Sequence, residues 1–208
     1  MVNTAALIAV LFVAASTGAR ADPVTIVVLG DSLTAGYGLS AEDAFPAKLQ
    51  LALAAGAIEA VVINAGVSGD TSAGGLARLA WSMGDRPDLA IIELGANDAL
   101  RGLAPEATFE NLAEILQWLD DQEIPSLLTG MLAPPNMGED YGRAFNAIYP
   151  RLADSFGVEL YPFFLDGVAA NPALLQEDGM HPNSEGVDVI VAGMMPLVVK
   201  ALSALVTN

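Results

Sequence analysis

A serine follows a glycine and an aspartate in VVLGDSLTAGYG (27–38), and Ser32 therefore has the surroundings of a nucleophile. A serine hydroxyl attacks a carbonyl only with help. It needs a base within hydrogen-bond reach, a group that orients the base, and donors aimed at the developing oxyanion. The chain has one histidine, so any imidazole base is His181. Asp178 stands three residues before it in DGMHP (178–182), and Gly179 between them is free to turn. Pro182 biases His181 toward extended backbone, which lets the Asp178 carboxylate loop back to one ring nitrogen and leaves the other for Ser32. Oxyanion donors are available at Ser32 N–H, at Gly69 N–H in NAGVSGD (64–70), and at the Asn97 side-chain amide in GAND (95–98). Asp98 reads as a helix cap and takes no chemical role. Each piece also has a plainer reading, as a strand exit, a turn glycine, a capping asparagine or a lead-in to a helix.

What decides between these readings is where the pieces fall. Short apolar runs at 24–30, 60–66, 88–95, 125–131 and 158–164 read as buried strands. Amphipathic stretches at 44–56, 71–83, 104–122, 141–157 and 183–206 read as helices, with Gly56 a stop for the first. Leu112, Ile115, Leu116 and Leu119 form one stripe, as do Val187, Ile190, Val191, Met194 and Leu197. Pro150 should kink or split the fourth helix, and Pro196 should bend the last. Apolar strands alternating with helices predict a single domain, an α/β/α sandwich around a parallel sheet of about five strands. Such sheets bind ligands beyond the carboxyl ends of their strands. Ser32, Gly69 and Asn97 follow the first three strands, and DGMHP precedes the last helix, so all belong to that one edge.

Composition narrows the chemistry further. The chain of 208 residues carries 25 acidic against 8 basic residues and no cysteine. Nucleic-acid binding has no electrostatic footing. A thiol nucleophile, a disulfide and a zinc-thiolate site are excluded, and one histidine cannot build a multi-histidine metal centre. Neither a metal nor a cofactor is expected. Residues 1–21 read as a secretory signal, with an apolar run at 5–15 and Ala19-Arg20-Ala21 as a small-x-small cleavage site. The run is too short for a stable membrane anchor. A mature domain at 22–208 in the periplasm or outside the cell is the expectation.

The blocks GDSLTAGYG, NAGVSGDTSAGGLARL, ELGANDALRG and DGMHPN stand in the order of the SGNH hydrolases, also called the GDSL esterase/lipase family. The chain resembles most the bacterial periplasmic branch of thioesterase I, lysophospholipase and arylesterase enzymes. The resemblance covers the chain after the leader. It implies a flavodoxin-like three-layer sandwich, Ser32 as nucleophile, Asp178 and His181 as its partners, and Ser32, Gly69 and Asn97 as oxyanion donors. It also implies hydrolysis of small-molecule aryl and acyl esters, or of thioesters or lysophospholipids. A carbohydrate O-deacetylase of the same fold and a non-catalytic flavodoxin-like binding module are the rivals. The apolar segments 131–137 and 160–175 favour an acyl chain or aromatic ester over a sugar, with Met131, Pro135, Phe164 and Met180 as candidate pocket residues. Whether the protein is a monomer or a small homo-oligomer is left open by the residues.

Overall fold

The computed structural model describes residues 22–205; the leader expected at 1–21 lies outside them. The apolar run VTIVVLG forms β1 (Val24–Gly30), and Ser32–Ala35 makes a single turn of helix, α1, at its exit. Helix α2 (Phe45–Ala55) ends at Gly56, as the glycine suggests, and leads into β2 (Ala60–Gly66). The helix expected at 71–83 is two, α3 (Ser72–Ala77) and α4 (Leu79–Met83), interrupted at Arg78. Strand β3 (Leu89–Glu93) is shorter than its apolar run and feeds α5 (Ala96–Leu100), a short helix that the periodicity does not reveal. Helix α6 (Pro105–Asp121) buries Leu112, Ile115, Leu116 and Leu119, the expected stripe.

Strand β4 (Ser126–Thr129) precedes α7 (Glu139–Asn146) and α8 (Ile148–Phe156). The break anticipated at Pro150 falls instead at Ala147. Pro150 lies in the first turn of α8, where its missing N–H has no helical partner to lose. Its ring excludes the carbonyl four residues earlier, that of Asn146, where α7 ends. Strand β5 (Glu159–Tyr161) stops before Pro162, well short of the run to 164. The last helix, α9 (Ser184–Leu205), contains Pro196 and buries Val187, Ile190, Val191 and Met194; Leu197 is only half-buried, and Val198 and Leu202 continue the row. By length and composition α9 is apolar enough to cross a bilayer, but its buried row packs on α2 and β5.

All four strand pairings are parallel, in the order β2-β1-β3-β4-β5. This is the flavodoxin-like order, and the chain reverses direction of build between β1 and β3. Helices leaving two adjacent strands to opposite faces open a crevice at that point, beyond their carboxyl ends. Ser32 follows β1 and Asn97 follows β3, so the two flank the crevice. Beneath it, Ile26, Val28, Leu29, Ile91 and Ile92 are fully buried and give the loops a rigid base.

Candidate active site

Ser32 begins α1 directly after the Asp31 cap, whose Oδ1 accepts the Leu33 N–H at 2.9 Å. The helix closes at Gly36, which takes the left-handed conformation (φ +84) and donates its N–H to the Ser32 carbonyl. The end of β2 passes directly beneath this turn. A Cβ on Gly66 would stand 2.5 Å from the Ala35 nitrogen, so only glycine lets the two segments meet.

The loop before α9 brings His181 to Ser32 across 149 residues of sequence: Nε2 lies 2.9 Å from Ser32 Oγ. Its Nδ1 lies 2.6 Å from Asp178 Oδ2. Gly179 makes the intervening turn at φ +69, and Asp178 Oδ1 accepts the N–H groups of Met180 and His181 at 2.9 and 3.0 Å. Those two backbone bonds, with the imidazole contact after them, hold the Asp178 carboxyl down at about 2. It is therefore an anion at any pH where the enzyme is folded and working. The loop is closed on itself and on the nucleophile segment by Gln176. Its backbone N–H donates to the His181 carbonyl at 2.8 Å, and its Nε2 donates to Tyr37 and Pro182 carbonyls at 2.7 and 2.9 Å. The Tyr37 ring lies 4.6 Å from the imidazole, centroid to centroid.

Gly69 lies in the loop after β2, and Asn97 lies in α5 after β3. Gly69 takes φ +86, and Arg101 holds its carbonyl at 2.7 Å. Among the described residues the N–H groups of Ser32 and Gly69 have no hydrogen-bond partner. Asn97 differs from the simple expectation of a free donor. Its Nδ2 donates to Asp31 Oδ2 at 3.0 Å and to the Asp70 carbonyl at 2.9 Å, so it reaches an oxyanion only by sharing or exchanging one of these bonds. Asp98 takes no part in this cluster. Buried, it accepts Ser72 N–H at 2.8 Å, Ser72 Oγ at 2.5 Å and Thr108 Oγ1 at 3.1 Å, tying α3 and α6 to α5.

Two acids lie beneath the nucleophile. Asp31 and Glu93 are both fully buried, and the Asp31 N–H donates to Glu93 Oε2 at 3.3 Å. Burial raises Asp31 to about 6 against the pull of its hydrogen bonds from Leu33, Glu93 and Asn97. Burial, and then the charge on Asp31, raises Glu93 well above the usual carboxylate range. Both Asp31 oxygens accept hydrogen bonds, whereas Glu93 Oε1 has no partner among the described residues. The proton therefore resides on Glu93, and Asp31 is the charged member of the pair. Sequence reasoning passed over Glu93, although a glutamate closing the otherwise apolar run LAIIE was a visible signal.

The candidate acyl pocket is corrected in two places. Phe164 is fully buried and packs edge-on to Phe45, with centroids 5.2 Å apart, and Met131 is also in the core. Neither offers surface to a substrate. Aromatic and sulfur-containing side chains serve a core as readily as a pocket, and only burial separates the two uses. Pro135 is exposed, and Met180, 51% exposed, stands beside His181.

A sheet with a β1/β3 crevice, a serine in contact with an imidazole and a carboxylate behind it define a serine hydrolase on a flavodoxin-like frame. The GDSL-like lipase/acylhydrolase family model matches residues 28–189, which include every residue of this cluster. The chain belongs to that family. It is similar to thioesterase 1/protease 1/lysophospholipase L1 of Escherichia coli K12, at 42% identity over 90% of this chain and 91% of that protein. An arylesterase of Vibrio mimicus is 41% identical over 85% of this chain and 88% of its own length. Among solved structures, AlinE4, an esterase of the SGNH-hydrolase family, superposes with a TM-score of 0.74 at 49% identity, covering 88% of this chain and 99% of that one.

Proposed function

We propose that the protein hydrolyses carboxylic esters through an acyl-Ser32 intermediate. The observation that carries this reading is the unbroken line from Ser32 Oγ to His181 Nε2 at 2.9 Å and from His181 Nδ1 to Asp178 Oδ2 at 2.6 Å. Ser32 Oγ attacks the acyl carbon while His181 Nε2 takes its proton, and the Asp178 anion stabilises the imidazolium. The carbonyl oxygen becomes an oxyanion that accepts from Ser32 N–H and Gly69 N–H. Asn97 joins by turning one amide hydrogen from the Asp70 carbonyl. His181 then returns the proton to the leaving alcohol or thiol. Water, deprotonated by the same imidazole, releases the acid.

Small-molecule esters with apolar acyl or aryl groups are the substrates this reading favours. Exposed apolar side chains follow every one of the first four strands: Tyr37, Val67, Leu100 and Leu132, joined by Leu103 and Met180. The first four lie beyond the carboxyl ends of their strands, and Pro135, in the same loop as Leu132, is exposed too. A sugar would meet few hydrogen-bonding groups there. The leader at 1–21 supports export, with the mature chain starting at Asp22. N-terminal sequencing of the exported protein tests that start.

The catalytic reading is tested by Ser32→Ala. The variant should remain folded, lose ester hydrolysis by ~10⁴-fold or more, and fail to react with a fluorophosphonate that labels the parent protein. Rates on p-nitrophenyl esters from acetyl to palmitoyl, measured beside an acyl-CoA, would then rank the substrates. Parent-like turnover by Ser32→Ala refutes the mechanism.

A further inference from the structure

We propose that Arg78 is a positioning residue for acyl transfer: its guanidinium binds the exits of β1 and β2 to the Gly69–Asp70 turn and so sets Ser32 against its oxyanion donors. This rests on the acyl-Ser32 reading. Arg78 is the only basic residue between Lys48 and Arg86 in a strongly acidic chain. It touches neither the serine nor the imidazole, but it holds the segments that carry the donors. Nε donates to Asp70 Oδ2 at 2.6 Å, Nη1 to the Ala65 carbonyl at 2.6 Å, and Nη2 to the Gly30 carbonyl at 2.9 Å. Nη1 also reaches Ser82 Oγ at 3.0 Å.

Two of these partners, Gly30 and Asp70, are one or two residues from the chemistry. Gly30 lies two residues before Ser32, and its carbonyl also accepts the Val67 N–H at 3.0 Å. Asp70 follows Gly69 directly, and its own carbonyl receives the Asn97 amide. All three proposed oxyanion donors are thus tied to this one side chain within three residue-to-residue links, two for Gly69 and Asn97 through Asp70 and three for Ser32 through Gly30. The backbone bends to allow it. The helix breaks at Arg78, which takes φ −112 and ψ 7, and Gly74 has no side chain where a Cβ would crowd the Asp70 carboxylate at 2.7 Å. A planar guanidinium can satisfy three acceptors at fixed angles, whereas a lysine ammonium on a flexible stem cannot reproduce that fork.

The test is made on the full chain with Arg78→Gln, Arg78→Lys and Asp70→Asn. It measures kcat and KM on a p-nitrophenyl ester, the phosphonylation rate of Ser32, near-UV circular dichroism and the melting temperature. A donor displaced by ~1 Å lowers rate by ~10²-fold, so Arg78→Gln should lose about that factor in kcat with KM within ~3-fold. Phosphonylation, which develops charge on the same oxygen, should slow in parallel, and lysine should not rescue either rate. A merely structural role would lower the melting temperature and leave kcat and phosphonylation of the folded fraction unchanged; that outcome overturns the proposal. If Arg78→Gln does not fold, Asp70→Asn decides. It keeps the guanidinium and its carbonyl bonds but weakens the ion pair, and parent-like kcat and phosphonylation in it also overturn the proposal. Failure of the parent protein to be phosphonylated at Ser32 would instead refute the serine reading itself.

Discussion

Glu93 offers a quantitative test of the buried acid pair beneath Ser32. Its side chain is fully enclosed at the end of β3, with one carboxyl oxygen accepting the Asp31 N–H and the other unpartnered among the described residues. Held protonated in the fold but free to ionise in the unfolded chain, such a group makes unfolding release a proton. Its folded pKa is raised, so stability falls as pH rises from the ordinary glutamate range up to the folded value. One proton corresponds to ~1.4 kcal/mol per pH unit. Glu93→Gln keeps the size and neutrality of the protonated acid and removes the linkage. In both proteins Asp31 faces a neutral neighbour over this window, so its own titration near 6 largely cancels in the difference. The stability of Glu93→Gln relative to the parent should therefore rise with pH above the ordinary glutamate range, at up to ~1.4 kcal/mol per pH unit. In melting temperature that slope is ~3–6 °C per pH unit for a domain of this size. Urea unfolding at a series of pH values measures the slope, and esterase rates at neutral pH should stay within ~3-fold of the parent. A difference that stays flat across the window would mean Glu93 is ionised in the fold, and the assignment of the proton would be wrong.

Further outcomes follow from the same contacts. Asp178→Asn should lower kcat by ~10⁴-fold, and because the backbone N–H groups of His181 and Met180 keep Asp178 an anion down to about 2, the deficit should be the same at every working pH. The stability contributed by that depressed carboxyl is complete above the ordinary aspartate range and is lost as pH falls toward 2, visible as the acid limb of an unfolding curve. Phe164→Ala should destabilise the fold by ~3–5 kcal/mol while leaving KM for long and short esters unchanged in the folded enzyme; a chain-length-dependent KM would return Phe164 to the pocket. With a formal charge of −17, the surface repels itself, and at ~1 M NaCl the screening length falls to ~3 Å. Melting temperature and esterase rate should be kept or raised there, and a fall in both would show that surface repulsion does not limit stability.

Much of this protein is written in local patterns. Length and apolar content marked the strands: β1, whose core residues are buried, must be continuously apolar, and β1 and the half-exposed edge strand β2 both fall at their expected residues. The alternation of strands and helices implied a parallel sheet, and a parallel sheet has one edge where its loops collect. That was enough to bring Ser32, Gly69, Asn97 and His181 to the same side. Asp178 could be paired with His181 because a three-residue turn through glycine is a local event.

Distances across the sheet were not local. The 2.9 Å contact between Ser32 and His181 depends on the strand order, on α9 packing over α2, and on Gln176 joining the two loops. The commitment of the Asn97 amide, the enclosure of Glu93 and the reach of Arg78 to the exits of β1 and β2 and to the Asp70 turn are decided by what surrounds each side chain. Phe164 shows the converse: its type suited a pocket, but the short β5 and the turn at Pro162 carry it into the core against Phe45. Residue type limits what a side chain can do, while burial and neighbours, which arise only when distant segments meet, select which of those things it does.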